Sequence, residues 1–208
     1  MILIGQYDSP YVRRVAVTLR RYDLAYEHRP WSVWGDADEI AVHNPLRRVP
    51  VLLLPDGTAL VETFAIMDAV DELVPPARAL LPRSGPIRRD GMRLVALASG
   101  MADKAASLLY ETMFRTQPSE VWMTRCRRQL VDTFAALEAE LGKRGSPFWL
   151  GAAPCHGDIA LACTLRFTRE AHAGLFDPRR HPALEALASR CEALPELREI
   201  YQPITNAL

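Results

Sequence analysis

The stretch that decides the fold is Asn44–Leu73, NPLRRVPVLLLPDGTALVETFAIMDAVDEL. Val49-Pro50 opens an apolar run, Val51-Leu52-Leu53-Leu54, of the length of a buried strand. Asp56-Gly57 follows. Asp-Gly between two apolar runs is a strong hairpin signal, because glycine accepts a positive φ without steric cost. Thr58 to Val61 then reads as the return strand. At Glu62-Thr63 the pattern changes to a helical one through Ile66, Val70 and Leu73, spaced i, i+4 and i+7. Proline at a strand's start removes one ladder donor, and an X-Pro bond is the kind that becomes cis at low cost. A cis Pro50 would turn the Val49 backbone outward and leave its N–H and C=O for an extended, peptide-like ligand. The helix after Thr63 begins with unpaired N–H groups and a partial positive charge. With a hydroxyl beside them, these make a site for a carboxylate. Glu62 would hold an ammonium group. The stretch therefore offers a backbone edge, a carboxylate pocket and an ammonium partner.

Those three features match the γ-glutamyl end of glutathione, and here the chain resembles the cytosolic glutathione S-transferase family, whose first domain carries a Val-Pro and an acidic-hydroxyl pair at its third helix. The resemblance implies glutathione as co-substrate, with Val49 pairing its backbone to the cysteinyl unit behind Pro50, and Glu62 and Thr63 holding the γ-glutamyl end. Arg48, or Arg47 beside it, would meet the glycyl carboxylate.

The segment before it fits the same plan. Met1 to Gln6 reads as a first, buried strand, and Tyr7-Asp8-Ser9-Pro10 as a turn, with Ser9 suited to a helix N-cap and Pro10 to the first helical position. A helix from about Tyr11 to Arg21 follows, with Val12, Val15, Ala16 and Leu19 as its core stripe and Tyr11 and Arg13 as packing and surface residues. Tyr26 to Arg29 is a second strand, parallel to the first through a right-handed crossover. Pro30 to His43 is a loop with at most a short helix. The order is a thioredoxin-like βαβ-ββα unit.

Ser9 is the candidate catalytic residue. At a helix N-terminus its hydroxyl lies where backbone N–H groups and the dipole favour an anion. A free thiol with a pKa of about 8.5 is only about 3% ionised at pH 7, and lowering that pKa by ~2 requires about 2.7 kcal/mol. One hydroxyl donor to an ion supplies about 1.5–3 kcal/mol, and the dipole about 0.3–1. The two suffice without a base. Ser9-Pro10-Tyr11-Val12 resembles the Ser-Pro-Phe-type motif of tau-like and bacterial transferases, in which the Ser hydroxyl donates to the glutathione sulfur. Members with Cys at this place run thiol exchange, so Ser9 argues against a reductase. Tyr7 is the competing activator. Trp31 and Trp34 either wall a pocket for an apolar co-substrate or pack on the sheet.

Lys+Arg and Asp+Glu both number 25 in 208 residues, so the net charge is zero, and no nucleic-acid partner is expected. No apolar run approaches the roughly 20 residues of a spanning helix, and no membrane association is expected. The opening Met1-Ile2-Leu3-Ile4-Gly5 lacks a basic leader, so no signal peptide is expected. Cys126, Cys155, Cys163 and Cys191 form no CxxC and read as reduced thiols in a cytoplasm.

Val74 to Pro86 is dense in Pro and Gly and marks a domain boundary. The expected division is a thioredoxin-like α/β domain over 1–77 and an all-α helical domain over 86–208. In the second, Ile87 to Phe114 is helical, with Gly91 or Gly100 as a point of close packing or bending. Ser119 to Gly142 is a clearer helix with a stripe Met123, Cys126, Leu130, Phe134, Leu137 and Leu141, ending at Gly142. Cys155-His156-Gly157-Asp158 resembles the family's Ser/Thr-x-x-Asp capping box, with Cys155 at the hydroxyl position. As a metal site it is poor, since adjacent residues rarely converge on one ion, and no metal is expected. His181 to Pro195 resembles the family's closing helix.

The resemblance implies a cytoplasmic detoxification enzyme, a homodimer, that conjugates the glutathione thiolate to an apolar electrophile. The second domain would supply the other wall of the site and Asp103 would be a candidate to reach the partner's glutathione. A glutathione-dependent isomerase or dehalogenase on the same fold, and a non-catalytic protein-binding scaffold, are the alternatives.

Overall fold

A computed structural model describes residues 1–204. The chain divides into two compact units, one of Met1–Arg83 together with the stretch that begins at Pro195, the other Ser84–Leu194.

In the first unit, β1 (Ile2–Ile4), α1 (Pro10–Arg21), β2 (Glu27–Arg29) and the short α2 (Ala37–Ala41) precede β3 (Val51–Leu53), β4 (Ala59–Val61) and α3 (Thr63–Glu72). The strands form one sheet in the order β2-β1-β3-β4. β1 runs parallel to β2 with Leu3 opposite His28, and antiparallel to β3 with Leu3 opposite Leu52. β3 and β4 close the hairpin with Leu52 opposite Leu60. In its turn the Leu54 N–H donates to the Thr58 carbonyl, and Gly57 takes φ 88°. The sheet and the expected stripe of α1 build the core: Leu3, Ile4, Val12, Val15, Ala16, Leu19, Val51, Leu52, Ile66 and Val70 are all fully buried.

Arg13 departs from its expected surface place. It is fully buried, its Nε donating to the Ile200 carbonyl at 2.7 Å and a terminal nitrogen to the Leu197 carbonyl at 2.8 Å. A buried guanidinium is tolerable only when hydrogen-bonded, and its acceptors come from α8 (Pro195–Glu199) and the residue after it. That short helix, which lies within the expected second domain, packs with the first unit.

The second unit holds α4 (Pro86–Phe114), α5 (Glu120–Arg144), α6 (His156–Ala171) and α7 (Pro182–Glu192). The expected stripe of α5, Met123 through Leu141, is buried. The helix runs past Gly142 and stops at Gly145, whose φ of 64° supplies the left-handed turn. α6 is buried from His156 to Thr168. Of the two α4 glycines expected at a close approach or bend, Gly91 is buried and Gly100 faces open space, and on α6 a Cβ on Gly157 would come within 2.7 Å of Leu94 of α4. Asp158, fully buried, accepts from the Trp149 N–H at 2.9 Å and the Cys155 N–H at 2.8 Å, which is the carboxylate arm of the capping box. Burial holds its carboxyl above the usual range against those donors.

Candidate active site

The site residues lie at the starts of α1 and α3 and on the segment entering β3. Ser9 is the N-cap of α1, with φ −65° and ψ 125°, and its Oγ accepts from the Val12 N–H at 3.4 Å. The hydroxyl proton has no acceptor among the described residues. No acidic side chain stands in the first turn of α1, so the positive end of its dipole is not neutralised there.

Val49-Pro50 is cis. The Val49 N–H and C=O make no hydrogen bond among the described residues and lie outside the ladder that begins at Val51. Gly5 carries this segment close to α1: a Cβ there would sit 2.5 Å from the Val12 Cγ2 and 2.8 Å from the Val49 Cβ. The first turn of α1 and the Val49 backbone thus flank one glycine.

Glu62 is the N-cap of α3, exposed, at φ 65° and ψ 130°. A non-glycine residue held at positive φ costs of order 1–3 kcal/mol and is kept where its surroundings demand it, often at a ligand site. Its side chain does not cap the helix, and no acidic residue stands in the first turn of α3, so the leading N–H groups and the dipole face outward uncompensated. The Glu62 carboxylate meets the Arg48 guanidinium at 3.5 Å, both about half exposed. Such a pair is worth about 1 kcal/mol or less and opens readily. Thr63, by contrast, is buried. Its Oγ1 accepts from the guanidinium of Arg14, itself buried on α1. That bond joins the starts of α1 and α3 and occupies the oxygen as an acceptor. The Thr63 hydroxyl keeps its proton for a ligand, so it can serve one as a donor.

The alternatives separate. Tyr7 stacks on His28 with ring centroids 3.8 Å apart, and its hydroxyl is hydrogen-bonded to that of Tyr26 at 2.9 Å. Burial raises its pKa, which the Tyr26 bond only partly offsets. It is engaged and held protonated. Arg47, at φ 54°, pairs with Asp38 at 2.5 Å, leaving Arg48 as the arginine beside Glu62. Trp31 packs against the cluster of Ile4, Ile40 and Val51, and Trp34 is half exposed. Asp103 lies exposed on α4. Sequence reasoning missed Arg14. A second arginine beside Arg13 on an otherwise apolar helix was the available signal.

The sheet order β2-β1-β3-β4 with α1 and α3 makes the first unit thioredoxin-like, the second unit is all helical, and comparison with known proteins agrees with that fold. Residues 3–78 match the glutathione S-transferase N-terminal domain and residues 120–190 the C-terminal domain. The GST-like protein YibF of Escherichia coli is 30% identical over 143 residues, 68% of this chain and 70% of that protein. A glutathione S-transferase of Methylobacterium radiotolerans, solved in complex with glutathione sulfonate, superposes with a TM-score of 0.88 at 30% identity, covering 100% of this chain and 98% of the other. Mouse maleylacetoacetate isomerase is 27% identical over 167 residues, 77% of this chain and 74% of that one. The chain belongs to the glutathione S-transferase family.

Proposed function

We propose that this protein binds glutathione at the Ser9–Val49–Glu62 edge and transfers its thiolate to an apolar electrophile. The observation that carries the reading is the state of Ser9. Its oxygen is held by the Val12 N–H while its proton has no acceptor among the described residues, so its donor is available. Glutathione supplies the nucleophilic sulfur. The Ser9 O–H donates to that sulfur and favours its ionised form, and the open positive end of the α1 dipole adds to the effect. Val49 offers its unused N–H and C=O to the peptide, on a backbone fixed by Pro50. The leading N–H groups of α3 and the Thr63 hydroxyl donate to the γ-glutamyl carboxylate, Glu62 accepts from the ammonium, and Arg48 leaves Glu62 for the glycyl carboxylate. The same reading carries a cytoplasmic homodimer with a detoxifying role. Light scattering checks the dimer.

The test is an ultraviolet difference titration of the thiolate across pH with bound glutathione. Wild type should show an apparent thiol pKa below the free value of about 8.5. Ser9→Ala should raise it by about 1–2 pH units, since one hydroxyl donor to an ion is worth about 1.5–3 kcal/mol. An unchanged titration in Ser9→Ala would overturn the assignment. The resemblance to an isomerase supports a second outcome of the same chemistry, in which the thiolate adds and leaves again. Conjugation consumes glutathione in proportion to product, and isomerisation leaves its concentration constant.

A further inference from the structure

The second unit contains a cavity of about 380 Å³ formed within its own helices, lined by Leu108 and Thr112 of α4, Met123 and Arg127 of α5, and His172 and Leu175 at and beyond the end of α6. None of the Ser9–Glu62 residues contributes. The cavity is half-open to solvent, its volume lies in the range of small-molecule sites, and its lining is polar and apolar in about equal part. Leu108 and Met123 are buried and Leu175 half-buried. The Thr112 hydroxyl donates to the Leu109 carbonyl at 2.8 Å, and the other two polar side chains are unlike. His172 Nε2 lies 2.8 Å from the Ala105 carbonyl. A carbonyl only accepts, so Nε2 carries the proton and, in the neutral ring, Nδ1 keeps a lone pair. Burial first, and the Arg127 charge as well, hold the imidazole below its ordinary range despite the Ala105 bond, so the ring is neutral at pH 7. Nδ1 has no donor among the described residues. Arg127 is the cation. Its ion-pair partner among them is Glu120 at 3.9 Å, with the two side chains 46% and 79% exposed, a pair of little worth. A guanidinium so loosely held can turn its fork to a carboxylate.

We infer that this cavity is a second ligand site, for an organic monocarboxylate whose apolar ring lies on Leu108, Met123 and Leu175, whose carboxylate pairs with Arg127, and whose hydroxyl donates to His172. The site is independent of glutathione. The probe is 4-hydroxybenzoate, titrated calorimetrically into the full-length protein without glutathione, with the neutral 4-hydroxybenzamide as comparison. Saturable binding of the acid is expected. It should weaken about tenfold or more in Arg127→Gln, since a charge-assisted bidentate contact is lost. The amide should bind more weakly than the acid to wild type and lose nothing further in Arg127→Gln. Arg127 is half exposed, so folding is not at risk, and Ser9→Ala should bind the acid as wild type does. Absence of saturable binding would overturn the inference. So would equal binding in Arg127→Gln, or loss of binding in Ser9→Ala, which would place the probe at the Ser9 edge.

Discussion

Glu62 is the residue where conformation and function oppose each other. Its φ of 65° is one that glycine takes freely and a β-branched residue almost never does. The side chain gives little back to the fold, since it caps nothing and its partner Arg48 is half exposed. The proposed role of the carboxylate is accordingly to bind the ammonium group of glutathione. Glu62→Gly should leave the urea midpoint within the equivalent of about 0.5 kcal/mol, because relief at positive φ offsets the extra freedom of an unfolded glycine. Glu62→Val should cost about 1–2 kcal/mol, from forcing a branched side chain into the left-handed region. Both should weaken glutathione binding about tenfold or more through the lost ammonium contact. A large loss of stability in Glu62→Gly would show that the carboxylate is structural.

At the scale of elements, the site depends on how closely α1 approaches the segment entering β3, and Gly5 governs that approach. Its φ of 126° is strained for any other residue, and an added Cβ would meet Val12 at 2.5 Å and Val49 at 2.8 Å. The second contact is with a Cβ close to the backbone, which cannot swing aside. Gly5→Ala should therefore destabilise by about 2–3 kcal/mol. It should also move Val49 away from Ser9 and lower glutathione affinity in whatever protein still folds. Denaturant unfolding and a glutathione titration on the same preparation check both effects, and intact affinity would separate Val49 from the site. Arg14 works in the same way between α1 and α3, fixing the Thr63 oxygen while leaving its proton to be donated.

At the scale of the molecule, the chain's return to the first unit rests on Arg13. Its guanidinium donates to the carbonyls of Leu197 and Ile200, and Leu197 is fully buried. Arg13→Met keeps much of the volume and removes the donors, leaving two carbonyls without them. The expected cost is about 2–6 kcal/mol, at roughly 1–3 per unpaired buried group. Amide hydrogen exchange across α8 should quicken by about tenfold or more while α5 keeps its protection. Unchanged exchange in α8 would mean that apolar packing alone holds the return.

The order of elements as far as α7, the hairpin at Asp56-Gly57, the core stripes of α1 and α5, and the candidacy of Ser9, Val49, Glu62 and Thr63 were legible in the residues alone. These follow from local periodicity, turn chemistry and capping, all of which act over a few residues. The folded structure adds that Arg13 is buried, that Arg14 donates to the Thr63 oxygen, that Tyr7 is bonded to Tyr26, that Glu62 stands at positive φ, and that Gly157 packs closely on Leu94. Four of these depend on a partner elsewhere along the chain: Ile200 for Arg13, Thr63 for Arg14, Tyr26 for Tyr7, and Leu94 for Gly157. A charged side chain reads as exposed until some distant segment supplies acceptors for it, and no local pattern records which segment will do so.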